Sequence, residues 1–335
     1  MNRRGFLEGI SALGAAAAVF PGESLSLEKP HRIDIHHHIL PPAYMAAIAS
    51  RRLGSSVQWT PEKSLEEMER NGIATSLLSL IQPGVWLGDA EQARRLAREA
   101  NEYGAALARD HPGRFGLFAT LPLPDAEGSL REIEYALGQL KAVGIALMTS
   151  YGGKYLGDAA FAPVWEEINR RKAVVYTHPL APDCCRNLVP DVPTSAIEFA
   201  TDTTRTLASL LFSGSAARYP GIRWIFSHGG GTAPFLLSRL QREEAEMKER
   251  GKRLPKGLAH ELARFYYDTA QANHPGALAA LAKIAPPSQI LFGTDYPFRP
   301  GAEGVGGVAA YRFKPAELRA IERGNALRLM PDLKA

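Results

Sequence analysis

From residue 31 onward, short apolar runs alternate with longer segments in which apolar residues recur every three or four positions. The runs cover 32–35, 73–80, 115–121, 144–148, 173–177, 222–227, 265–268 and 289–292. Each has strand length and is rich in β-branched or aromatic residues. The periodic segments at 89–110, 129–143, 159–171, 202–219 and 233–249 predict helices. Glycines and prolines mark the joints, as in Asn71-Gly72, His111-Pro112-Gly113, Tyr219-Pro220-Gly221 and Pro286-Pro287. Eight strands, each followed by helical material, predict an α/β fold: one (β/α)₈ TIM barrel over 31–335. Two connections are longer than a barrel needs. They run from Ile39 to Thr60 and from Pro179 to Ser195, the second carrying Cys184, Cys185 and Arg186. Long loops on this face form lids and pocket walls.

The start of the chain reads differently. Arg3-Arg4-Gly5-Phe6-Leu7 precedes a weakly apolar run from Ser11 to Phe20. A charged segment before a short apolar one is the pattern of a twin-arginine export signal, here residues 1–25. The expectation is a periplasmic protein, with cytoplasmic retention as the alternative. No stretch is long and apolar enough to span a bilayer.

Composition narrows the partners. Lysines and arginines exceed acids by only 39 to 35, and the excess is spread along the chain. A mixed solvated surface is expected, and nucleic-acid binding is not. The two cysteines, Cys184 and Cys185, are adjacent. A bond between neighbours is strained and closes no useful loop, so there is no disulfide framework.

Chemistry gathers at the strand ends. The first strand runs into Asp34-Ile35-His36-His37-His38. In extended backbone alternate residues share a face, so His36 and His38 point together while His37 points away. Two imidazoles so placed make half a site for zinc or a similar ion. The fifth strand ends Thr177-His178-Pro179, the sixth Ser227-His228-Gly229-Gly230-Gly231, the eighth Gly293-Thr294-Asp295-Tyr296-Pro297-Phe298. The glycines allow close backbone approach and are expected to open a helix N-terminus. A carboxylate in a barrel mouth, Asp295, needs a cationic partner. Five of nine histidines thus fall at three strand ends. His31, His111, His260 and His274 read as surface residues. Trp86, Tyr151 and Phe298 are candidates to wall a flat pocket.

Together, Asp-x-His-x-His, Thr-His-Pro, Ser-His-Gly-Gly-Gly and Gly-Thr-Asp-Tyr-Pro-Phe resemble the amidohydrolase-related superfamily. More narrowly they are similar to its decarboxylase branch, which includes aminocarboxymuconate-semialdehyde, resorcylate and 6-methylsalicylate decarboxylases. The resemblance covers about His31 to Met330. It implies that His36, His38, His178 and Asp295 hold one divalent ion, zinc first and manganese second. It also implies that His228 works on metal-bound water or substrate. Arg239 matches an arginine that reaches a substrate carboxylate across a homodimer interface; a helix-surface salt bridge is the plain alternative. The superfamily's two-metal hydrolases carry a carboxylated lysine at the end of the fourth strand. Here that strand reads Gly144-Ile145-Ala146-Leu147-Met148-Thr149-Ser150, with no lysine before Lys154. A single ion is therefore expected.

The resemblance implies a metal-dependent, non-oxidative decarboxylase of a small aromatic or unsaturated carboxylic acid, salicylate-like, with Asp295 as acid and His228 as its partner. One-metal hydrolysis of a lactone or amide is the alternative, and a non-catalytic ligand-binding barrel the third. Carbon dioxide release, acid release and silence distinguish the three.

Overall fold

The computed structural model describes residues 31–49, 58–185 and 188–333. Residues 1–25, where the export signal is expected, and Arg186 lie outside them. Eight parallel strands form one sheet in chain order. They are β1 (Arg32–Ile39), β2 (Ile73–Leu80), β3 (Phe115–Thr120) and β4 (Gly144–Met148). Then come β5 (Val174–His178), β6 (Arg223–Phe226), β7 (Tyr266–Asp268) and β8 (Ile290–Leu291). The Ile35 N–H donates to the Phe292 carbonyl at 3.0 Å and joins the last strand to the first. The fold is a TIM barrel, as the alternation of apolar runs predicts.

Two apolar shells hold it. Inside the barrel, Ile33, Ile35, Leu77, Phe118, Tyr176, Ile225 and Leu291 pack together, closed from below by Ala326, Leu329 and Met330 near the C-terminal end. Outside, the second faces of the strands meet the helices through residues such as Leu78, Leu147, Trp165, Leu207 and Phe226. Burial on both sides is why the strands read as continuous apolar runs.

β1 carries one irregularity that matters for the site. Its register against β2 slips between Asp34 and His37, where β1 has one residue more than its partner. Ile33 and Ile35 face the interior below the slip, and His36 and His38 face it above. A bulge beside a functional site re-aims side chains in this way.

Several helices differ from the sequence expectation. The one expected at 202–219 begins at Thr194 and ends at Phe212, because Pro193 stops the preceding loop and lets a helix start directly after it. The one expected at 129–143 spans Ala126–Gly138, capped by the Asp125 side chain on the Gly128 N–H at 3.0 Å. Gly229–Gly231 do not open a helix; the next one is Leu237–Glu246. All three glycines have positive φ, and a Cβ on Gly231 would meet the Ala200 carbonyl oxygen at 2.0 Å. They let this loop lie directly on the Thr194–Phe212 helix. The long connection after β1 contains a short helix, Pro42–Ile48, with residues 50–57 outside the described part.

Candidate metal centre

His36 and His38 at the end of β1, His178 at the end of β5 and Asp295 just beyond β8 converge at the mouth of the barrel. All four are buried, and one ligand atom from each lies within 4.8 Å of the others. The His36 and His38 Nε2 atoms are 3.2 Å apart. Asp295 Oδ1 is 3.2 Å from the first and 3.1 Å from the second. Donors around one ion at about 2.1 Å stand roughly 3.0–3.4 Å apart; the three spacings among His36, His38 and Asp295 match, and the set with His178 spans up to 4.8 Å.

The tautomers explain why a cation fits. His36 Nδ1 is 2.9 Å from Asp268 Oδ2, His38 Nδ1 3.4 Å from the Ser79 carbonyl, and His178 Nδ1 3.0 Å from the Pro179 carbonyl. Those acceptors take the Nδ1 protons and turn Nε2 lone pairs toward the centre. Three lone pairs facing a carboxylate repel one another unless a positive charge, a proton on His36 Nε2 or a metal ion in its place, lies between them. The donor set therefore fits a divalent ion.

Electrostatics point the same way. Burial works against a charged His36, yet the Asp268 and Asp295 carboxylates outweigh it and push its pKa up to about 10. His38 and His178 move down, chiefly through burial, and His178 falls far below its ordinary value with neighbouring imidazoles adding to the effect. Burial alone would raise Asp295, but the His36 charge and hydrogen bonds from His228, His36 and His38 hold its carboxyl well below the usual range. The site prefers a positive charge at its centre.

Around this set the chain supplies a buried frame. Asp268, fully buried at the end of β7, accepts from His36 Nδ1, from the Tyr176 hydroxyl at 3.1 Å, from the His228 N–H at 2.8 Å and from the Ala270 N–H at 3.1 Å. Tyr176 lies under His36, with ring centroids 5.4 Å apart. Asp34 accepts from the His36 N–H, the Thr294 N–H and hydroxyl, and lies 3.2 Å from His37 Nδ1. It ties β1 to the segment that carries Asp295. Asp295 itself has φ of 67°. A non-glycine residue held in that region is strained backbone, a feature of functional sites.

His228 stands beside the set. Its Nε2 is 3.5 Å from Asp295 Oδ2, and its Nδ1 is buried with no hydrogen-bond partner among the described residues. The Gln271 side-chain amide donates to the same Asp295 oxygen from the rim.

The amidohydrolase family model matches residues 33–331. The chain belongs to the amidohydrolase family. Within it, the chain is 36% identical over 324 residues to decarboxylase macB of Penicillium terrestre, covering 90% of this chain and 95% of that one. It is 35% identical over 316 residues to the 6-methylsalicylic acid decarboxylase of Penicillium expansum, covering 90% and 97%. Among solved structures it is similar to the dihydroxybenzoic acid decarboxylase of Polaromonas sp. JS666 with bound manganese and 2-nitroresorcinol. That match has a TM-score of 0.79, 25% identity, and covers 90% of this chain and 97% of that one.

Not every expected site residue of this amidohydrolase joins the cluster. Arg239 is exposed on the Leu237–Glu246 helix and makes no ion pair among the described residues, so the surface salt bridge is absent as well. Tyr151 is core rather than pocket wall: it is buried, and its hydroxyl accepts from the Met148 N–H at 2.8 Å. Phe298 is at the mouth, with its ring 5.6 Å from that of His38. Trp86 lines a cavity of about 520 Å³ formed by the loops after β2, β4 and β5. His37 does point away, with its Nε2 3.0 Å from the Ser64 hydroxyl. His31 and His111 are half-buried, not fully exposed, and His31 Nε2 is 3.2 Å from Glu322. Lys154 is exposed on a small hairpin, and Thr149, at the end of β4, is buried and donates to Asp202. Asp268 and Gln271 were not anticipated. A carboxylate ending the run Tyr266-Tyr267-Asp268 was the available signal for the first, parallel to that of Asp295.

Proposed function

We infer that this amidohydrolase is a metal-dependent carboxy-lyase that removes carbon dioxide from a small aromatic acid of the hydroxybenzoate type. The observation that carries the reading is the convergence of three Nε2 lone pairs and one carboxylate, with His228 alongside, in a chain similar along its length to decarboxylases of 6-methylsalicylic and dihydroxybenzoic acids. His36, His38, His178 and Asp295 would hold one divalent ion. When bound, that ion supplies Lewis acidity toward a carboxylate and an ortho oxygen.

The protein's own groups then have to move one proton. Loss of carbon dioxide breaks the ring-to-carboxyl bond, and a proton replaces the carboxyl on the ring carbon. We assign delivery to Asp295 Oδ2, the oxygen nearest His228 Nε2. Because the Asp295 carboxyl is held well below its usual range, it is ionised at neutral pH and must be supplied through His228. The His228 Nδ1, unpartnered among the described residues, leaves a polar contact for the substrate. Gln271 fixes the orientation of the Asp295 carboxylate.

Three finer readings belong with it. We propose zinc as the resident ion, on the nitrogen-rich donor set, with manganese as the alternative. A homodimer is supported by Phe235, 86% exposed on the loop that leads to Arg239. In it Arg239 would reach the carboxylate of the neighbouring site. Twin-arginine export is supported by Arg3-Arg4 and the apolar run after it; replacing both arginines with lysine should keep full-length active protein in the cytoplasm, and identical fractionation of both forms would contradict it. The test of the activity is to load the protein with zinc or manganese and offer a panel of hydroxybenzoates and lactones. Carbon dioxide from the former supports the reading, whereas acid from the latter would replace it with the hydrolase.

A further inference from the structure

Cys184 and Cys185, the only cysteines in the chain, lie in the single turn Asp183–Cys185, six and seven residues past His178. Their Sγ atoms are 2.7 Å apart, so both sulfurs face the same way. Cys184 is exposed, and it lines the 520 Å³ cavity with Trp86, Tyr155 and Leu180. Arg205 directs its guanidinium at Cys185 Sγ from 3.8 Å. The hydrogen bond between the sulfurs raises the Cys184 pKa.

Two sulfurs so placed suit one kind of partner better than another. Successive Cα atoms across a trans peptide are about 3.8 Å apart, short of the roughly 4.4–6.8 Å that a relaxed disulfide spans. A third atom between the sulfurs enlarges the ring and removes that restriction. Soft sulfur ligands select soft acceptors.

We propose that Cys184 and Cys185 form a two-sulfur site for a trivalent arsenical on the wall of this cavity, separate from the metal centre. With a hydrated arylarsenoxide the step balances without a redox change. Two As–O bonds break, two As–S bonds form, and each thiol proton leaves with a hydroxide as water. The aryl group then lies in the cavity that Trp86 and Tyr155 line, which this proposal places on the substrate's path to the metal centre.

The test uses the metal-loaded enzyme and one equivalent of phenylarsine oxide. Intact mass should show one adduct per chain, and titratable thiols should fall from two to none. A dithiol such as 2,3-dimercaptopropanol should reverse it, and the same concentration of a monothiol should not. In Cys184→Ser and in Cys185→Ser the arsenical should bind about 100-fold more weakly, because the second sulfur no longer acts intramolecularly. A wild-type adduct that a monothiol removes as readily as from the single variants, or that leaves one thiol free, overturns the site. Decarboxylation should fall in the bridged wild type and be unaffected by arsenical in the double serine variant. A bridged enzyme with full activity would overturn the placement in the substrate's path. That arm rests on the proposed activity, whereas mass and thiol count do not, so a failure of either can be told from a failure of the other.

Discussion

The floor of the barrel mouth and its rim follow opposite rules. On the floor, His36, His38, His178, Asp268 and Asp295 are buried, and the Nδ1 atom of each of the three histidines lies beside an acceptor. On the rim, Leu188, Val189, Ile197 and Phe235 are exposed apolar side chains, and Arg239 is an exposed charge without an ion-pair partner among the described residues. A committed network fixes geometry, because moving any member leaves a buried group unpaired. An uncommitted surface fixes nothing until something covers it. The contrast teaches that the reaction class belongs to the floor, whereas substrate choice belongs to the rim.

The contrast breaks most completely at His178. His178→Ala should abolish metal retention and turnover together, as metal analysis and rate measurement will check. Asp295→Asn should remove turnover with a smaller loss of metal, since the amide keeps an oxygen but not the proton. Wild-type rates in that variant would displace Asp295 as the acid.

Asp268→Asn comes next. It replaces a carboxylate that faces four donors with an amide that accepts through one oxygen only. Metal affinity should fall about 10–100-fold, and unfolding should be about 2 kcal/mol easier, by competition with a chelator and by denaturant melts. An unchanged affinity would mean that His36 is held by packing alone.

A fourth prediction follows from the proton on His36. With protein groups alone, its pKa is pushed up to about 10 by the two carboxylates, so it is protonated at neutral pH. An ion needs the neutral imidazole. Binding at pH 7 should therefore release about one proton, and affinity should rise with pH until that group deprotonates. Calorimetry in buffers of different ionisation enthalpy measures this; no proton release would contradict the charge assignment.

The smallest effect is expected on the rim. Phe235→Ser should change monomer stability by no more than about 0.5 kcal/mol and leave metal content alone. If two copies pair through this face, sedimentation will show the pairing weakened.

How much of this was legible depends on distance along the chain. The eight strands announced themselves because burial on both faces makes each a local apolar run. The apolar run of β1 ends at Ile35 but the strand continues to Ile39, since histidines in a strand look polar unless their contacts are known. His36 and His38 were legible from spacing because the bulge turns both to one face. The bulge itself was not, because it depends on pairing with β2. Asp268 lies 232 residues from His36, and no local pattern marks that contact. The start of the helix at Thr194 was hidden because its first two turns contain exposed apolar and polar residues without a clear face.

The central claim is that a single divalent ion on His36, His38, His178 and Asp295 drives loss of carbon dioxide. Its most direct test is to titrate chelator-stripped protein with zinc, and separately with manganese, while following carbon dioxide release from hydroxybenzoates. The account predicts that release rises linearly to about one ion per chain and then stays flat. A maximum reached only near two ions, or no carbon dioxide at full occupancy, would contradict it.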